Sequence, residues 1–192
     1  MAFLTGGPSR GLPGSLRTMT LAGALVLSPL AAQAQTTALE AVVKANYLYK
    51  FAPFVGWPPR SFAGADSPFN ICVLGEDPFG AVLDQAVRGQ QVDGRPIVIR
   101  RASTAEPGLA CHLVFAGRPR GQSTAEMLDV VARQPVLTVT DRSRGVSGGM
   151  IQFVLSQGRV RFEIDAAAAE ASGVTISSKL QALAVSFRRT DR

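Results

Sequence analysis

Short apolar runs constrain this chain more than any other feature. Residues 69–74 read FNICVL and residues 112–116 HLVFA, each bounded by turn residues, and residues 136–140, VLTVT, read as a further strand. Unbroken apolar runs of that length mark strands with both faces buried, and such strands belong to parallel sheets covered by helices. Helical patterns lie between them. Val82, Leu83 and Val87 follow the turn Gly75-Glu76-Asp77-Pro78, and Ser123 with Glu126 forms a capping box for a helix reaching Ala132. Alternating strands and helices predict an α/β fold, a single-domain sandwich with a largely parallel central sheet flanked by helices. Twelve prolines and nineteen glycines in 192 residues exclude a coiled coil or long bundle, and 46% apolar residues suffice for a core.

The ends of this pattern are less regular. Thr37 and Glu40 make a capping box for a first helix carrying Leu39, Val42, Val43, Tyr47, Phe51 and Phe54, which should stop near Pro53. Asp93-Gly94-Arg95-Pro96 reads as a turn before a strand at 97–100. Residues 150–155 and 159–164 flank Gln157-Gly158, which predicts one hairpin in the C-terminal half. Asp165 should cap an alanine-rich helix that ends at Gly173. A brief strand at 174–176 then precedes a last helix starting at Ser177 or Ser178 and carrying Leu180, Leu183, Ala184 and Phe187.

Residues 1–34 have the layout of a cleaved secretory signal peptide: Arg10 and Arg17 without acids, an apolar run at 19–30, then Ala32-Gln33-Ala34. The mature domain is therefore expected to be 35–192, located in the periplasm. Export makes Cys72 and Cys111, each at the border of a buried strand, an expected disulfide. The formal charge of +6 is scattered and partly lost with the leader, so no nucleic-acid partner is expected.

Catalytic equipment is sparse. Gly145-Val146-Ser147-Gly148-Gly149 matches the nucleophile-elbow pattern, but a strand-like run follows it and the single histidine, His112, lies upstream. His112 reads as a satisfied core or strand-edge residue, and one histidine with two cysteines supplies no metal site. Gly75, Glu76 and Asp77 sit where open α/β sheets bind small ligands, at the carboxyl end of a strand, without the glycine spacing of a nucleotide loop. Glu163 and Asp165 share one strand face, yet Asp165 is needed as a cap. The chain reads as a non-enzyme with no cofactor.

In order along the chain stand Lys44-Ala45-Asn46-Tyr47-Leu48-Tyr49-Lys50-Phe51, Trp57-Pro58, Ile71-Cys72-Val73-Leu74-Gly75-Glu76-Asp77-Pro78-Phe79, Gly94-Arg95-Pro96, Cys111-His112-Leu113-Val114-Phe115, Leu137-Thr138-Val139-Thr140-Asp141, Gly148-Gly149-Met150-Ile151, Phe162-Glu163-Ile164 and Ile176-Ser177-Ser178-Lys179-Leu180. This ordered set resembles the YfiR-like family of periplasmic proteins. The resemblance implies a homodimeric α/β repressor that binds the sensor part of an inner-membrane diguanylate cyclase, or a histidine kinase, lowers cyclic-di-GMP and biofilm formation, and is relieved by an outer-membrane partner. Some members carry a second cysteine pair near residues 142–152; this chain has none there, a departure from the pattern on which the redox control suggested for those members rests. A small-molecule binding module serving a sensor or transporter is the alternative. For the regulatory reading, the partner surface is expected on Phe162, Glu163, Ile164, Ser177, Ser178, Lys179 and Leu180, with Glu163 pointing opposite to its two apolar neighbours; the alternation reads equally well with Phe162, Ile164 and Leu180 as core.

Overall fold

The runs at 69–74, 112–116 and 136–140 form the strands expected of them. The computed structural model describes residues 29–188. In chain order these are α1 (Pro29–Phe51), a 3-10 turn (Ala52–Phe54), β1 (Val55–Gly56), a second 3-10 turn (Pro59–Ser61), β2 (Phe69–Leu74), α2 (Ala81–Val87), β3 (Gln91–Val92), β4 (Arg95–Ala102), β5 (Leu113–Ala116), α3 (Thr124–Val131), β6 (Leu137–Asp141), a third 3-10 turn (Arg142–Arg144), β7 (Ile151–Ser156), β8 (Arg159–Asp165), α4 (Ala166–Ser172), β9 (Thr175–Ile176), α5 (Ser178–Gln181) and β10 (Ser186–Arg188). The expected leader lies mostly outside the described residues, and its last part opens α1. Thr37 therefore stands inside that helix rather than at its start.

Eight strands join one sheet in the order β10-β8-β7-β6-β5-β2-β4-β3, and β1 pairs separately with β9. Every neighbouring pair from β4 through β2, β5 and β6 to β7 is parallel, as is β8–β10; the hairpins β7–β8 and β3–β4 are antiparallel. The arrangement is thus mixed α/β on a mostly parallel sheet. Gln157 and Gly158 close the β7–β8 hairpin with φ of 52° and 70°, the left-handed pair that matches strand twist. The Thr37–Glu40 capping box read from sequence falls inside α1, whereas the caps at Ser123 and Asp165 are present. The Ser123 hydroxyl accepts from the Glu126 N–H while Glu126 reaches back to the Ser123 N–H, and Asp165 accepts from the Ala168 N–H ahead of Gly173.

Alternation along each strand divides the core in two. Ile71, Phe115, Val139, Ile151, Phe153 and Phe162 pack with Leu48 and Phe51 of α1 and Leu83 of α2. On the other face, Cys72, Leu74 and Val114 meet Met127 and Val131 of α3. The Cys72–Cys111 disulfide lies in this second cluster, joining β2 to the residue two before β5.

Three expectations are corrected. The last helix is a single turn, after which Val185 donates its N–H to the Phe162 carbonyl and residues 186–188 pair with β8 as an edge strand. Phe187, expected on a helix, stands on β10 with 41% of its surface exposed. The strand expected at 97–100 runs over Arg95–Ala102 and begins in a hairpin with β3 across Asp93-Gly94. Val55 and Gly56, just after the first helix, form a strand that no sequence signal announced and pair with β9.

Candidate functional site

The β6 strand ends at Asp141, and the 3-10 turn after it gathers several elements at one rim of the sheet. Lys44, one turn before the aromatic part of α1, is 3% exposed, and Asp141 is 1% exposed. The Lys44 ammonium donates to Asp141 Oδ2 at 2.7 Å and to Ser143 Oγ at 2.9 Å, with Glu40 Oε2 at 3.4 Å. The Ser143 hydroxyl also donates to Asp141 Oδ1. A charge pair buried this deeply needs further hydrogen bonds to both partners, and Ser143 makes one to each. Arg142 pairs with Glu163 of β8, and Arg144 with Glu76 beyond β2 at 3.0 Å. Arg118, beyond β5, donates to the Arg144 carbonyl. The turn thus ties α1, β8 and the loops after β2 and β5 together. No sequence pattern announces this: Lys44 and Asp141 are 97 positions apart, and each taken alone reads as an ordinary surface charge.

Of the expected partner residues, Phe162, Ile164 and Leu180 are each 3% exposed. Their role as surface anchors is corrected. Phe162 packs edge-on against Phe51 at 5.1 Å and against Tyr47 at 5.6 Å, which uses its ring to seat α1 on the sheet. Glu163 does point the other way and is partly exposed beside Arg142. Ser177 caps α5 by accepting from the Leu180 N–H, while Ser178 and Lys179 are exposed. The exposed apolar side chains near Glu163 come instead from Leu155, Val185 and Phe187, at 47%, 43% and 41%, none of them among the expected partner residues. Leu155 and Val185 border a cleft with Arg142 and Glu163, and Phe187 borders a second with Glu163 and Asp165. Leu155 sits on an alternating strand, the one signal that could have marked it.

The expected ligand position is built for another purpose. Gly75 and Glu76 lie at the carboxyl end of β2, where the strand order switches direction between β2 and β5. The loop after β5 fills that crevice: the Glu76 N–H donates to the Arg118 carbonyl and the Gly117 N–H to the Leu74 carbonyl. A Cβ at Gly75 would stand 2.4 Å from the Arg118 oxygen, so glycine is what lets the two loops meet. Asp77 accepts from the N–H groups of Phe79 and Gly80 and from Arg101. Burial opposes its ionisation, but these donors outweigh burial and hold the carboxyl below its usual range.

His112 is 4% exposed, and both ring nitrogens are engaged: Nδ1 accepts from the Asn70 N–H at 3.0 Å, which leaves Nε2 to donate to the Ser61 carbonyl at 3.0 Å. Its ring stacks on Phe62 and Phe69. Desolvation, helped by Arg95 and opposed by the Ser61 bond, pushes its pKa below the ordinary value. The Gly145–Gly149 motif follows a 3-10 turn and leads into β7, not a helix.

The YfiR/HmsC-like family model matches residues 41–185. The chain belongs to the YfiR/HmsC-like family. That match takes in Lys44, Asp141, Glu163 and both cysteines, so the buried ion pair and the disulfide lie within the family region. No curated protein matches the chain at a significant level. No helix among the described residues is long and apolar enough to cross a membrane.

Proposed function

We propose that this YfiR/HmsC-like chain is a periplasmic regulatory protein that binds and inhibits the sensor part of an inner-membrane diguanylate cyclase, lowering cyclic-di-GMP and biofilm formation. Family membership supports the regulatory class. The observation that carries the surface is Glu163: a carboxylate at the rim, flanked in sequence by buried Phe162 and Ile164 and bordered by exposed Leu155, Val185 and Phe187. Apolar side chains around one charge are the composition of a protein–protein hot spot. The groove along Gln152, Glu163, Asp165 and Ser186 holds about 290 Å³ and opens broadly. Ligand pockets bury most of a small molecule's surface, which an open groove does not, and this favours contact with a protein over capture of a small molecule. The reading assigns no catalysis, in keeping with a His112 whose nitrogens are both engaged in the core.

Glu163→Lys tests the proposal. The Arg142–Glu163 pair is partly exposed, and exposed pairs contribute about 0–1 kcal/mol, so the melting temperature should shift little. Cyclic-di-GMP and surface attachment in the native host should rise. A folded Glu163→Lys protein that represses fully would remove this surface from the proposal.

A further inference from the structure

The opposite edge of the sheet carries a second feature that the regulatory surface does not use. β3 pairs only with Arg95 and Pro96, so among the described residues β4 from Ile97 to Ala102 has no strand on its outer side. The Ala102 carbonyl accepts from the Gly75 N–H and so faces β2. By alternation Val98 and Arg100 also turn their main chain toward β2, and the N–H and C=O groups of Ile97, Ile99 and Arg101 turn outward. No hydrogen bond among the described residues reaches those outward groups. Ile97 and Ile99 line a groove of about 400 Å³ whose other wall is Val87 and Arg88 at the end of α2. Asp84 at the same wall is already paired with Arg101. Val98, on the opposite sheet face, is 38% exposed beside Arg100. Neither Arg88 nor Arg100 makes an ion pair among the described residues.

We propose that this β4 edge is a strand-addition site for an extended segment of another protein in which apolar and acidic residues alternate. A strand laid on residues 97–102 completes the outward main-chain bonds, and that mode of recognition reads alternate side chains separately on the two faces. On one face the added residues meet Val87, Ile97 and Ile99, which calls for apolar side chains. On the other they meet Val98 and the unpaired guanidinium of Arg100, which calls for a carboxylate. A second copy of the chain fits poorly, because two paired β4 edges would set Arg100 and Arg101 of each copy on one short ladder, and like charges across strands repel. Arginines on an open edge are a known guard against self-association, and they leave an acidic strand admissible.

The probe is a fluorescein-labelled octapeptide alternating valine and glutamate, titrated with the protein in a polarisation assay. Saturable binding is expected. It should weaken at least tenfold when lysine replaces glutamate in the peptide, when alternate peptide amides are N-methylated, or when the protein carries Arg100→Glu. Arg159→Glu, an equal charge change on the β7–β8 hairpin, should leave binding unchanged. Equal binding of the N-methylated peptide would overturn strand addition in favour of charge attraction alone. Equal binding of the lysine peptide would overturn the acidic specificity, and a dimer in sedimentation that Arg100→Glu abolishes would overturn the heterologous partner. These outcomes are read in vitro and do not depend on whether Glu163 contacts a cyclase.

Discussion

Lys44 and Asp141 show how one pair of side chains commits several elements. The ammonium is surrounded by Asp141, Ser143 and Glu40, and the carboxylate by Lys44 and Ser143. Lys44→Ala leaves a carboxylate in the core without its cation, which should cost about 3–5 kcal/mol in urea unfolding. Replacing both partners with apolar residues, Lys44→Met with Asp141→Leu, should recover most of that loss, since no buried charge is then left alone. A single Lys44→Ala protein within about 1 kcal/mol of wild type would show that the carboxylate is solvated without the lysine. His112 gives a second residue-scale test. Its folded pKa lies below the unfolded value of 6.5, so neutral His112 stabilises the protein fully above about pH 6.5. As pH falls through the folded value, protonation puts a second N–H at Nδ1, where the Asn70 N–H already points, and that stability is lost. The melting temperature should decline with acid more steeply than in His112→Gln; equal slopes would exclude the histidine. The sole tryptophan, Trp57, donates to the His112 carbonyl and supplies an optical signal for the same transition.

At the scale of elements, the legible parts were those whose signal is local. β2, β5 and β6 are buried on both faces, and in β2 and β5 this reads as a nearly unbroken apolar run, while β6 alternates apolar residues with buried threonines. The caps Ser123 and Asp165 and the Gln157-Gly158 turn are contacts within a few residues. The last helix failed for a physical reason. Leu180, Leu183, Ala184 and Phe187 fit a helical period, but pairing of residues 186–188 with β8 offsets more than one further helical turn would add. β1, β3 and β9 are two residues each, too short to carry any period. The disulfide was legible from compartment and strand position. It spans 39 positions, a loop whose closure is worth roughly 4 kcal/mol on the chain-entropy model. Cys72→Ala with Cys111→Ala should lower the melting temperature accordingly, and two reactive thiols in the denatured, unreduced protein would contradict the bond.

For the whole molecule, stability should be graded across the sheet. β2, β5 and β6 are flanked on both sides by strands and buried on both faces, whereas β3 and β10 are short edges, and β10 is exposed throughout. Hydrogen exchange should accordingly be slowest at β2, β5 and β6 and fastest at β3 and β10. Protection of β10 equal to that of β5 would mean the C-terminal edge is covered, as by a partner. The same gradient places the proposed regulatory surface and the strand-addition edge at the two labile margins, where a partner can add contacts without opening the core.

Amino-acid order alone determined the class of this fold, its central strands, the caps at Ser123 and Asp165, the β7–β8 hairpin and the pairing of its cysteines, because burial on two faces, local hydrogen bonds and compartment all leave marks within short stretches. Tertiary structure alone decided which side chains stand at the rim. Phe162 and Ile164 share one period-2 pattern with Glu163, and only the packing of Tyr47 and Phe51 against Phe162 fixes which face is inside. Lys44 meets Asp141 and Leu155 nears Val185 only after α1, β6, β7 and β10 have taken their places, since contacts between residues far apart in the chain depend on topology, which no local pattern carries.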